Sequence, residues 1–264
     1  MDFSRLRLLM LLLLLLPVGS MRAETGDEAV ERNTAEALKV LAATIEALGG
    51  DRWLQLKGQM REGHIATFNH GKPNPGTTKF WEFHAWPDHD RTELTSHRDV
   101  VQLFVGDDGW EVTYKGKKAI PAEQLDEFLR RRNHSVEMAL KRWLKDPKTI
   151  LMYEGQHLAA RHLADQVTLI SAENESITLL CDVESHLPLR RIYSWRDPVY
   201  KDKNTEAEEY DDYHTINGLP TAFTVTRFRN EEMMRQSFLD KIDYSPEFSA
   251  DFWNADAISK RLRK

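Results

Sequence analysis

The first regularity along the chain is an unbroken apolar run. Residues 8–16 are leucine apart from Met10, and they follow a short basic stretch carrying Arg5 and Arg7. Pro17 and Gly19 break the run, and the small residues Ser20 and Ala23 follow as cleavage points. That order of basic, apolar and small-residue regions predicts a secretory signal peptide over 1–23. The run is shorter than the about 20 residues that a membrane-spanning helix needs. Residues 24–32 are acidic and read as a flexible leader. Asn33 or Thr34 then caps a predicted helix in which Ala35, Leu38, Leu41, Ala42, Ile45 and Leu48 recur at helical spacing. Gly49 and Gly50 end it, and residues 51–56 add a further turn with Trp53 and Leu54 facing inward.

From residue 59 the apolar period changes from helical to alternating. Residues 59–69 read as a strand, and Pro73, Pro75 and Gly76 form a loop. In 78–86, Trp81, Phe83 and Ala85 point one way, and Phe80, Glu82, His84 and Trp86 the other. A turn over 88–91 and a strand over 92–97 follow. Val101, Leu103 and Val105 share a face, Gly106 to Gly109 make a turn, and Trp110, Val112 and Tyr114 continue the alternation as a hairpin. A helical insertion spans 121–145, with Leu125, Phe128 and Leu129 on one side of its first helix and Val136, Leu140 and Trp143 on one side of its second. Strands are predicted at 153–157, 166–172, 176–183, 188–195, 206–214, 221–228 and 234–244, and 255–264 is left as a charged tail. Strands spaced in this way, with helices in two places only, predict an α+β, mainly β chain built on one antiparallel sheet.

Charge and composition narrow the function. The full chain carries a formal −6. The first 23 residues contribute +2 (Arg5, Arg7 and Arg22 against Asp2), so the mature chain carries −8. This favours solubility and offers no broad attraction to nucleic acid or anionic membrane. The sole cysteine, Cys181, allows no internal disulfide and reads as a buried apolar group in the run 177–183. Among ten histidines the densest grouping is His84 and His89 with Asp88 and Asp90, which lacks a recognised zinc-ligand spacing. There is no nucleophile elbow and no phosphate-cradling glycine loop. The pairs Glu208-Glu209 and Asp211-Asp212 lie where side chains alternate across a strand, which points their members apart. Arg130, Arg131 and Arg132 read as a solvated helix end, where basic residues suit the helix dipole.

Several strands carry bulky residues on both faces, and the order of segments resembles the LolA-type superfamily of outer-membrane lipoprotein-sorting carriers. Four patterns carry the resemblance: Glu-Ala-Leu-Gly-Gly at 46–50 followed by Trp53 and Leu54; Gly-Asp-Asp-Gly-Trp at 106–110; Leu-Leu-Cys-Asp-Val-Glu-Ser-His-Leu-Pro-Leu-Arg at 179–190; and 210–219 with a strand pair ending at Ile242 and the closing aromatics Phe248 and Phe252. The resemblance spans roughly 34–253 and implies an unclosed antiparallel half-barrel whose concave face is covered by helices, one domain over 33–254. It implies a carrier or chaperone whose hydrophobic groove takes lipids or lipoprotein acyl chains; with the export signal and the missing catalytic and metal-ligand motifs, the expectation is a periplasmic monomer without catalytic residues, cofactor or metal that can meet an envelope membrane partner. On such a half-barrel the groove is expected to be lined by Trp81, Phe83, Val101, Leu103, Trp110, Val112, Leu179, Cys181, Phe223 and Val225. The alternatives are an envelope sensor using the same fold and a metal-assisted hydrolase at the His84–Asp90 cluster.

Overall fold

The structure is a computed structural model in which residues 25–263 are described; the signal peptide expected over 1–23 lies outside them. The chain divides into two units, Met1–Arg32 and Asn33–Lys264. Among the described residues, Thr25–Arg32 of the first unit form the start of helix α1 (Gly26–Leu48), which continues into the second. The helix thus begins well before the expected Asn33 or Thr34, and residues 26–32 are helical where a flexible leader was expected. Its start is a reciprocal cap: the Thr25 amide donates to Glu28 (3.0 Å) and the Glu28 amide to the Thr25 hydroxyl (3.3 Å).

The apolar stripe of α1 also differs from expectation. Its buried positions are Ala37, Leu41, Thr44 and Leu48, while Ala35, Leu38 and Ala42 are exposed. Thr44 sits on the buried face because its hydroxyl donates to the Val40 carbonyl (3.0 Å), which removes the cost of burying it. Gly49 and Gly50 take φ of 120° and 57° and turn the chain into α2 (Gly50–Leu54), where Trp53 is buried as expected.

The alternating segments form β1 (Gly58–Asn69), β2 (Lys72–Pro73), β3 (Thr78–Ala85), β4 (His89–Leu94), β5 (Val100–Val105), β6 (Asp108–Thr113) and β7 (Gly116–Ala119). After the insertion, α3 (Ala122–Asn133) and α4 (Val136–Lys141), come β8 (Ile150–Ala159), β9 (His162–Ile170), β10 (Ser176–Asp182), β11 (Pro188–Arg196), β12 (Lys203–Ile216), β13 (Leu219–Arg229) and β14 (Glu232–Asp243). The order across the sheet is β7-β6-β5-β4-β3-β1-β14-β13-β12-β11-β10-β9-β8, with β2 beside β1. Two meanders therefore meet where β1 pairs β14, and β7 and β8 stay unjoined. This is the open antiparallel half-barrel. A bulge at Glu62/Gly63 bends β1 at that junction. A side chain at Gly63 would collide with the Phe238 carbonyl, since a Cβ there would lie 2.1 Å from its oxygen.

The two faces of the sheet are covered differently. Over β8–β10, α1 and α4 bury Leu41, Leu140, Leu169, Ile177 and Leu179 in the main core. On β5 and β6 the outer face holds Val101, Leu103 and Val112, packed against Ala255 and Ile258 of α5 (Ala255–Leu262). The expected charged tail is therefore a packed helix: its apolar side meets the hairpin while Lys117 pairs with Asp256 (2.8 Å) and Arg261 with Glu93 (3.1 Å). The expected turn at 88–91 is also displaced. The chain turns at residues 86–88 and β4 starts at His89, because Arg91 and Glu93 must lie in a strand to bury a mutual ion pair, 1 % and 0 % exposed, that Arg98 and Arg261 also join.

Candidate ligand-binding cavity

Strand alternation sends Glu82 and His84 of β3, Asp90 and Thr92 of β4, and Gln102 and Phe104 of β5 to the concave side. There they border a cavity of about 570 Å³, within the range of small-molecule sites. The insertion roofs it with Phe128, Arg131 and Arg132 of α3 and Met138 of α4; β12–β14 close the far wall with Glu208, Tyr210, Val225, Arg227 and Arg235. Phe128 lies flat on Phe104, with ring centroids 3.5 Å apart, and Leu94 and Trp86 border the cavity from opposite ends of the β3–β4 pair.

The rest of the wall is charged. Arg191, 1 % exposed, meets Glu208 through Nε (3.1 Å) and Nη2 (3.0 Å) and donates Nη1 to the His134 carbonyl (3.0 Å). Burial raises the Glu208 carboxyl, but the Arg191 charge and hydrogen bonds outweigh it and hold the group at about 2. Burial also raises the Tyr210 hydroxyl well above its usual range, and its O–H donates to Glu208 (3.2 Å). Arg235 pairs with Glu82 (2.9 Å) and donates to Ser237. His84 contacts Asp90 (2.8 Å); burial depresses the imidazole, and Asp90 more than compensates, so its pKa is raised.

Arg131 and Arg132 correct the solvated-helix-end reading. Arg131 is bound to Glu127 (2.9 Å) and Glu206 (3.1 Å). Arg132, 10 % exposed, donates to the carbonyls of Asp88 (3.0 Å) and Gly106 (2.7 Å). Acceptors on the strands draw both side chains inward. The pair Glu208-Glu209 does straddle the sheet as expected, but Glu208 is no edge residue: it stands on the inner wall opposite Arg191.

Of the ten residues expected to line a groove, Val225 borders the cavity, and Phe83 touches its margin while its ring packs on Phe248 and Phe252. Val101, Leu103, Trp110 and Val112 belong to the α5 side, and Trp81, on the same face, lies under Lys79 and Arg98. Leu179 and Cys181 are filled core beneath α1, where burial pushes the thiol up to about 12. Phe223 packs edge-on to His214, away from the cavity. On β3 to β6 the reason is parity, since the apolar residues face α5 and those between them face the cavity; on β10, Leu179 shares the cavity's face, opposite Arg191, and is covered by α1. Arg191, Arg227 and Arg235 were missed. Their signal was an arginine at an inward position within otherwise apolar strands, as in Leu189-Arg190-Arg191-Ile192.

The His84–Asp90 cluster separates into two pairs, His84 with Asp90 and His89 with Asp88 (2.8 Å). Among the described residues no three His, Cys, Asp or Glu side chains converge on a metal position, and no helix is long and apolar enough to cross a membrane.

Solved structures share this architecture. A domain from Vibrio parahaemolyticus named for outer-membrane lipoprotein sorting superposes with a TM-score of 0.59 at 11% identity, over 86% of this chain and 100% of that one. A LolA superfamily protein from Nitrosomonas europaea gives 0.55 at 9%, over 83% and 98%. The fold is similar to that of these two proteins. A DUF1329 family protein from Desulfovibrio piger superposes with a TM-score of 0.61 at 10% identity, over 86% and 99%. No family model and no curated protein matches the sequence. At such identities the likeness speaks for the LolA-type architecture, and the chemistry must be read from the cavity.

Proposed function

We propose that the protein is an exported carrier that holds one amphiphile in the concave cavity, without covalent chemistry, and passes it to a partner in the cell envelope. The observation carrying this reading is the roofed cavity of about 570 Å³, lined by aromatic and aliphatic side chains as well as polar and charged ones. Transfer of methylenes from water onto Leu94, Phe104, Phe128 and Met138 supplies the binding free energy, about 0.8 kcal/mol for each buried CH₂. The leucine run at 8–16 supports export. The LolA-type fold supports a carrier over the hydrolase alternative, and the separate His–carboxylate pairs offer that alternative no metal site.

The test is solvent extraction and mass spectrometry of the purified protein, followed by titration with a fluorescent fatty-acyl probe. Val225→Asn puts an unpaired amide against ligand methylenes, so probe affinity should fall roughly tenfold while the melting temperature changes little. Absence of any extracted amphiphile together with probe binding unaffected by Val225→Asn would overturn the reading.

A further inference from the structure

The cavity is bordered by more guanidinium groups than carboxylates: Arg61, Arg131, Arg132, Arg191, Arg227 and Arg235 against Glu82, Asp90, Glu137 and Glu208. Arg227 of β13 stands directly opposite Arg235 of β14 on one side and Glu208 of β12 on the other. Every nearby carboxylate is already engaged: Glu208 by Arg191 (3.0 Å), Glu206 by Arg131 (3.1 Å), Glu82 by Arg235 (2.9 Å), and Glu127 by Arg131 (2.9 Å) and Arg229 (3.7 Å). Arg227 makes no hydrogen bond or ion pair among the described residues, and it borders the cavity. Like charges directly opposite on paired strands are destabilising; Glu206 and Glu208 offset part of that repulsion at Arg227, and an anion between these arginines would offset more.

We propose that Arg227, flanked by Arg131 and Arg235, is an oxyanion-binding subsite that takes the carboxylate or phosphate group of the carried amphiphile. The proposal deepens the carrier reading and rests on it for the ligand's apolar part. Guanidinium forks match the geometry of a carboxylate or phosphate and bind it through paired N–H donors. Burial, and then the charge of Arg131, lower Arg227 to about 10, consistent with a cation waiting for a counterion. The aromatic stack of Phe104 and Phe128 lines the same cavity and leaves room for the alkyl part.

The test is calorimetric titration of the mature chain with palmitate, hexadecanol and inorganic phosphate. Palmitate should bind at least about tenfold tighter than hexadecanol. Arg227→Gln should abolish that preference while leaving hexadecanol binding unchanged. Arg227→Lys, which keeps the charge but not the fork, should retain part of it. Equal affinity for palmitate and hexadecanol, or a preference that survives Arg227→Gln, overturns the subsite and leaves the carrier intact. Binding of phosphate alone, lost in Arg227→Gln, overturns the carrier and keeps the subsite as one for a free anion. Binding of none of the three overturns both. Removing a repelled charge should preserve the melting temperature; if the glutamine variant does not fold, Arg227→Met, which keeps the apolar stem, repeats the measurement.

Discussion

Glu208 is the residue whose charge most depends on its setting. It is 19 % exposed and shares both carboxylate oxygens with the fully buried Arg191. Its folded-state pKa of about 2 lies below the ordinary 4.5. A depressed carboxyl contributes stability that is fully present above pH 4.5 and is lost as the pH falls toward 2. The melting temperature should therefore drop through that window as Arg191 loses its partner. Glu208→Gln should be less stable at neutral pH, because it leaves the buried guanidinium with only the more distant Glu206 (3.9 Å), and its profile should be flatter between pH 4.5 and 2. Parallel melting profiles for the two proteins would show that the pair does not control the acid response. Cys181 has no part in such effects: it stays a protonated thiol packed in the core.

At the scale of elements, sequence periodicity located nearly every strand, because β3 and β8 to β14 each run for seven residues or more and so give a strong signal. It failed where burial is polar. Arg91 is a strand residue that forms an ion pair with Glu93, and the polar pattern at 88–91 resembles a turn. The closing helix α5 was hidden for a related reason, since only Ala255, Ile258 and Ser259 of its eight residues are buried. The site was less legible than the fold. Apolar alternation reveals which faces are sealed, whereas this cavity is bounded by Arg191, Arg227, Arg235 and Glu82, whose inward direction depends on a pairing register that sequence alone does not supply. The assignment of Leu103 can be tested directly. It is 0 % exposed against α5, so Leu103→Asn should cost about 2–5 kcal/mol. Ile258→Ala, on the opposite side of the same contact, should cost a similar amount. At a temperature where both variants remain folded, each should bind an acyl probe with the affinity of the parent. Weakened probe binding with unchanged melting would instead place Leu103 in a ligand groove.

For the whole molecule, the decisive property of a carrier is that its ligand must leave. The sheet is rigidly paired from β7 to β8 and offers no exit by itself. The roof is the weaker part, because α3 has no buried residue along its length. It is held down by the Phe104–Phe128 stack, by Arg131 on Glu206 (3.1 Å), and by Arg132, whose two donors reach the carbonyls of Asp88 and Gly106 on the hairpin turns. A segment with little buried apolar area opens at a free energy well below that of global unfolding. On the carrier reading, Arg132 therefore sets the rate of release more than the stability of the fold. Hydrogen bonds from a charged donor are worth about 1.5–3 kcal/mol each, so Arg132→Ala should shift the roof toward its open form by at least a factor of about ten. Stopped-flow displacement of a bound fluorescent acyl probe should show dissociation accelerated roughly tenfold, with the melting temperature lowered only slightly because the core under α1 and α4 is untouched. An unchanged dissociation rate would mean that the ligand leaves by another route, past the unpaired edges of the half-barrel and not beneath α3.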